Sequence, residues 1–283
     1  MTSREDRATT ESEGREAAEK FRDEHHLGTQ PIADLATIIE QATGVDAAVL
    51  DVGADEHGLT MRDPERGTVF IAAAKTVHPM RQRSSLAHEL GHVLFEDWAE
   101  ITGEGWGERA HSEIRADAFA RHLLMPLAGL RNFVGDRAEF DHSTLSAVVQ
   151  RFIVSPAIVA IAMRQADYVT DAIKEGWMAL DTPALAARFG WSDWYRALQA
   201  GSDRRRAPQR LLTRAIQGYL ENVVSLQTLA TLRGVGPATV EAELREAGLV
   251  PDRLKVEWAD PAGLPDVDID LTGLDHVSQD PPG

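Results

Sequence analysis

Residues 84–95, SSLAHELGHVLF, set His88 and His92 four positions apart with Glu89 between them. On a helix that advances about 100° per residue, the two imidazoles stand within about 40° of each other, while Leu86, Leu90 and Val93 face the opposite side. This pattern suits metal chemistry, because imidazoles one turn apart reach a single tetrahedral ion and the intervening glutamate faces its open coordination position. The same residues also fit a solvated helix face. A third ligand on a second helix, together with a group that orients the imidazoles, separates the two readings.

The stretch 108–126, ERAHSEIRADAFARHLLMP, supplies the candidate. Its Ala116, Phe119, Ala120, Leu123 and Leu124 keep helical spacing, and Met125-Pro126 ends the run. Glu113 and Asp117 share a face, beside alanines small enough to admit a neighbouring helix. Glu113 is assigned as the third metal ligand. Asp117 is assigned as the acceptor that takes the other ring N–H of one histidine and so fixes its tautomer. An acidic pair facing water is the competing reading, and the upstream motif favours the ligand. With no cysteine in the chain, thiolate sites are excluded. Two nitrogens and one oxygen make zinc the default ion, although manganese or iron fits the same donors. His78, His111, His122 and His142 are read as surface or packing residues.

The elements that must carry these groups follow from periodicity. Residues 1–25 are polar with one large apolar residue, Phe21, and read as a flexible tail ending in a short helix. PIADLATIIEQATG reads as a packed helix that stops at Gly44. VDAAVLDV, GLTMRD and GTVFIAAA read as three short strands of a small antiparallel sheet, with DPERG turning between the last two. A helix from Pro79 to about Phe95 bears the histidines. The fold class is therefore α+β: a zincin-like core over 26–135, then a helix-turn-helix-like unit over 136–170 and a helical domain over 171–250.

DHSTLSAVVQRFIVSPAIVAIAMRQ and SLQTLATLRGVGPATVEAELREAG both have helix-turn-helix form, with Ser143 as a candidate N-cap of the first. Neither second helix carries a row of residues suited to base edges, so both read as packing units. Trp177, Trp191, Trp194 and Tyr195 are expected to anchor a second small core. SDRRRAPQR reads as a solvated loop. Residues 251–283 read as a flexible acidic tail, with a docking or autoinhibitory role kept open.

Composition narrows the function classes. The 283 residues are 43% hydrophobic, a normal value for a globular chain. No run approaches the length needed to cross a bilayer and the N-terminus lacks a secretory pattern, which implies a cytoplasmic protein. A net charge of −16 repels phosphate backbones and disfavours direct nucleic-acid binding.

The chain resembles the ImmA/IrrE-type metallopeptidases through RQRSSLAHELGHVLF and SEIRADAFARHLLMP, together with PIADLATIIEQATG and GLTMRDPERGTVFIA upstream. The resemblance covers roughly residues 22–165. Where the family often has an aromatic residue before AHE, this chain has Ser84-Ser85. The resemblance implies zinc ligands at His88, His92 and Glu113, a catalytic base at Glu89, and a partner repressor with a helix-turn-helix domain that is cut to relieve repression in stress or in mobile elements. An ion held by two imidazoles and one carboxylate lowers the pKa of a bound water toward roughly 7. Glu89 would take the proton of that water and pass it to the leaving amine. The sequence names no donor for the developing oxyanion. A binding regulator that keeps this fold without hydrolysis is the second function class.

Overall fold

The computed structural model describes residues 4–53, 58–97, 111–137 and 139–252. Helices α1 (Arg4–Glu24) and α2 (Leu35–Thr43) precede strands β1 (Asp46–Leu50), β2 (Gly58–Arg62) and β3 (Val69–Ala74). Helices α3 (Pro79–Leu94), α4 (His111–Leu124), α5 (Leu127–Val134), α6 (His142–Phe152) and α7 (Pro156–Gln165) follow. Then come α8 (Asp171–Met178), α9 (Thr182–Arg188), α10 (Ser192–Ser202), α11 (Gln209–Leu220), α12 (Leu226–Arg233) and α13 (Pro237–Glu246). The class is α+β, as expected. Among the described residues no single helix is long and apolar enough to cross a membrane. The acidic segment from residue 253 onward lies outside the described residues, and with it the expectation of a flexible tail.

The sheet is mixed rather than antiparallel. Its order is β1-β3-β2, with β1 parallel to β3 and β2 antiparallel to β3. The hairpin behaves as DPERG predicts: Asp63 Oδ1 accepts from the Glu65 and Arg66 amides at 2.9 and 3.1 Å, and Gly67 takes φ 65°. The short hairpin places β3 between its neighbours, so β1 runs beside β3 in the same direction. Alternation of apolar residues alone does not encode that order.

The expected N-terminal tail is instead the long helix α1, packed lengthwise on α4. Its contact stripe is made of small residues: Thr10, Gly14 and Ala18 recur every four positions, and a β-carbon at Gly14 would come within 2.6 Å of Ala118 Cβ. Such a stripe carries little apolar mass but lets backbones approach closely. Phe21 then packs edge-on against Phe119 at 6.2 Å, and buried Arg22 donates to the carbonyls of Leu123, Gln30 and Gly28. Arg22 thereby satisfies a last-turn carbonyl of α4, one of the groups a helix leaves without an internal partner.

Helices α3 and α4 meet at Gly91. A β-carbon there would lie 3.1 Å from Ala116 Cα and 3.3 Å from Ala116 Cβ, so the glycine and the alanine together set how near the helices come. Arg83, on the far side of α3, donates to the carbonyls of Ile32, Ala33 and Ile153 and ties the helix to the approach to α2 and to the α6–α7 turn. Burial pulls the Arg83 guanidinium down to about 10.

Helices α6 and α7 join through Ile153, at φ 55°, and bury Leu145, Val148, Val149, Phe152, Val159 and Met163 in the main core. The N-cap of α6 is Asp141 rather than Ser143; its carboxylate accepts from the Thr144 amide at 2.9 Å. Trp177, Trp191 and Tyr195 do not form a second core. They belong to the main one, where Trp191 Nε1 donates to Ser146 Oγ at 2.8 Å. The separate small core lies further on, among Ala215, Leu229, Ala230, Val240 and Leu244 of α11–α13.

The basic run SDRRRAPQR is a clamp rather than a solvated loop. Arg206 exchanges backbone hydrogen bonds with Val49 at 2.9 and 3.0 Å, alongside β1. Its guanidinium reaches buried Glu40 at 2.6 Å and the Ala47 carbonyl at 2.6 Å. Arg205 pairs with Asp51 at 3.0 Å and Arg210 with Asp46 at 2.9 Å. Three of the four arginines of this run, Arg205, Arg206 and Arg210, are matched by carboxylates of α2 and of the β1 region, which the local sequence does not announce.

His122, on α4 and buried against α1, generates a pH prediction. Burial first, and then the nearby Arg121 and Arg15 charges against the opposing pull of Glu11, hold its imidazole down at about 4. The unfolded chain takes up this proton near its ordinary value of about 6.5, whereas the folded chain resists, so stability present above that pH is lost toward pH 4 at about 1.4 kcal/mol per unit. Urea unfolding at pH 7 and pH 5 should show a loss for the unaltered chain about 2 kcal/mol larger than for His122→Gln. Equal losses in the two proteins would mean that His122 is not the group responsible.

Candidate metal centre

His88 and His92 project from one face of α3 toward Glu113 on α4. The His88 and His92 Nε2 atoms are 3.0 Å apart; Glu113 Oε2 lies 3.4 Å from His88 Nε2, and Glu113 Oε1 lies 3.3 Å from His92 Nε2. Donors about 2.0–2.1 Å from a tetrahedral ion stand about 3.3 Å from one another, and the triangle of side chains formed by His88, His92 and Glu113 brings each Nε2 near that distance from a carboxylate oxygen, Oε2 for His88 and Oε1 for His92. The three residues are the group among the described residues whose donor atoms converge in this way. The coordinates thus bring together the three side chains that the sequence singles out as candidate donors.

Each imidazole is oriented from behind. Asp117 Oδ1 accepts from His88 Nδ1 at 2.9 Å, the role assigned to it from sequence. His92 Nδ1 faces Asp97 Oδ2 at 3.4 Å. Asp97 is itself held by Arg115, whose Nη2 donates to Asp97 Oδ1 at 2.7 Å while the guanidinium stacks 4.0 Å over the Phe95 ring. With each Nδ1 turned to a carboxylate, each Nε2 is left to coordinate.

Electrostatics favour a positive charge at the centre of this triangle. Burial alone would pull the His88 imidazole down, but hydrogen bonds to Asp117 and Glu113 outweigh it and lift it to about 9. For His92 burial again opposes, and the Glu113 hydrogen bond turns the balance upward. Hydrogen bonds from both imidazoles hold the Glu113 carboxyl well below the usual carboxylate range. Two nitrogen donors and one carboxylate, each fixed in direction, fit a divalent metal ion.

Glu89 lies on the same stretch of α3 and lines the same cavity, of about 610 Å³, which Gly58, Leu59, Thr60, Ser84 and Ser85 help to wall. Its carboxylate Oε2 accepts from Thr60 Oγ1 at 2.6 Å. His111 does not join the site; its Nδ1 meets Thr10 Oγ1 at 2.9 Å on the α1 side. Neither Asp97 nor Thr60 is legible as a site residue in the sequence. Asp97 sits five positions beyond His92, just past the end of α3, and its acidic character is the one available signal. Thr60 carries none, because its place depends on how β2 lies against α3.

Residues 41–164 match a peptidase family model described as the IrrE N-terminal-like domain, a stretch that includes His88, Glu89, His92, Glu113, Asp97 and Asp117. No curated protein matches the chain.

Loss of either orienting carboxylate should weaken metal binding without removing a ligand. In a competitive chelator titration, Asp117→Asn and Asp97→Asn should each lower affinity by about ten- to a hundredfold. Affinity unchanged in Asp97→Asn would remove Asp97 from the site.

Proposed function

With residues 41–164 belonging to the IrrE N-terminal-like peptidase family, we propose that this chain is a zinc-dependent endopeptidase that cuts a protein partner in the cytoplasm. The observation that carries this reading is the convergence of His88, His92 and Glu113 at 3.0 to 3.4 Å, with Glu89 in the same cavity. A divalent ion held by these donors supplies Lewis acidity toward a carbonyl and makes water a nucleophile near neutral pH. Zinc is the ion that two imidazoles and one carboxylate suit best.

The chain's own residues account for the remaining steps. Glu89 accepts a proton from the attacking water and returns it to the leaving amine. Asp117 and Asp97 keep the imidazoles in the tautomer that coordinates. Strand β2 is the outer strand of the sheet on the cavity side, so an extended peptide can lie beside it and present its backbone to the site. Such a mode takes an internal stretch of a polypeptide as readily as its end, which supports endopeptidase action. The partner proposed is a transcriptional repressor with a helix-turn-helix domain, cleaved in stress response or in the control of a mobile element. This part rests on the resemblance carried by AHELGH and EIRADAFARHLLMP.

Incubation of the full chain with a proteome-derived peptide library, and separately with the repressor encoded beside its gene, tests the reading. Fragments should form with zinc and vanish with chelator. Glu89→Gln should keep its metal yet cleave at least about a hundredfold more slowly. Stable co-elution with the repressor and no fragments from either substrate would point instead to a binding regulator.

A further inference from the structure

We propose that strand β2 sets the conformation of the Glu89 carboxylate, with Thr60 as a positioning residue and Gly58 as the space that this conformation needs. The inference rests on the reading of Glu89 as the base of the hydrolytic reaction. A glutamate side chain has three rotatable bonds, and on a helix face lining a wide cavity it would sample several rotamers. Here it is held. Thr60 Oγ1 donates to Oε2 at 2.6 Å and lies 3.3 Å from the backbone carbonyl of the same residue.

The other oxygen, Oε1, lies against the Gly58 backbone. A β-carbon at Gly58 would sit 2.9 Å from Glu89 Cδ and closer still to Oε1, so any side chain there displaces the carboxylate. One oxygen is thus tied, and the other is kept in place by the absence of a side chain opposite.

The support is rigid because it comes from the sheet. Thr60 pairs with Ile71 of the central strand, and Ile71 is fully buried. Leu59 and Met61, on the alternate positions of β2, are exposed at 44% and 54%, so the strand turns its hydroxyl rather than these apolar side chains toward α3. A base pinned in one rotamer meets the attacking water without first reorganising, which is where positioning affects rate.

The test uses the full-length chain, the fastest-cleaved peptide of the library, and three substitutions. Thr60→Val keeps the branched shape and removes the O–H, Thr60→Ser keeps the O–H, and Gly58→Ala intrudes on the carboxylate. Thr60→Val and Gly58→Ala should lower kcat by about ten- to a hundredfold, with KM within about twofold of the unaltered chain. Thr60→Ser should return kcat to within about threefold. Bound zinc, measured by mass spectrometry, should be equal in all four proteins.

Full kcat in Thr60→Val, equal damage in Thr60→Ser, or a loss that tracks missing zinc would each overturn the proposal and leave Thr60 as a structural tie between β2 and α3. If no peptide is cut at all, the hydrolytic reading falls and this inference falls with it. Cleavage that Glu89→Gln abolishes and Thr60→Val leaves untouched removes this inference alone.

Discussion

The separation between α3 and α4 governs the metal centre. Two imidazoles on one helix and a carboxylate on another can share an ion only when the helix axes come close, and side-chain size at the crossing decides how close. Gly91 lies on α3 between the two histidines in chain order, as Ala116 lies on α4 between Glu113 and Asp117. A β-carbon at position 91 would stand 3.1 Å from Ala116 Cα, tighter than ordinary packing, so a side chain there presses the two helices apart. Metal–ligand distances tolerate about 0.2 Å, so a shift of the helix axes by one methyl group would move Glu113 out of the shared triangle. The glycine of HELGH is as much a part of the centre as the residues that bind.

The α4 side of this crossing is fixed from behind. Helix α1 lies along α4, and Arg115 of α4 holds Asp97, which in turn faces His92. Arg115 also lies 3.8 Å from Glu13 of α1. The orientation of one imidazole is thereby linked, through a guanidinium, to the N-terminal helix. Buried Arg22 and half-buried Arg83 use the same chemistry toward carbonyls rather than carboxylates, and each joins segments far apart in the chain. In a chain with an excess of acidic residues, arginine serves as the internal fastener because its fork of donors satisfies several acceptors at once.

The candidate ligands stand out in the sequence because helical period is a local property. His88 and His92 fall on one face by their spacing, and Glu113 and Asp117 share a face of α4 beside alanines. What was not legible depends on pairings between distant segments. Helix α1 escapes because its buried stripe is Thr10, Gly14 and Ala18, residues that carry almost no hydrophobic signal while permitting tight packing. The parallel pairing of β1 with β3 escapes because strand order is set by the length of the hairpin and by the approach of α3. Arg205, Arg206 and Arg210 read as a solvated run until Asp51, Glu40 and Asp46 are brought beside them. Thr60 escapes for the same reason, whereas Asp97 lies only five positions beyond His92 and escapes because it follows the end of α3, where helical period no longer places a side chain.

The backbone pairing of Arg206 with Val49 bears on which flank of the sheet can be extended. A small sheet offers two flanks, and an unprotected flank invites strands of other copies to add to it. Here the β1 flank is capped by the chain's own segment and stapled there by ion pairs, which leaves β2, among the described residues, as the sheet's other edge. That flank borders the cavity. An arrangement that closes the β1 flank therefore places the remaining edge of the sheet on the side on which Glu89 stands.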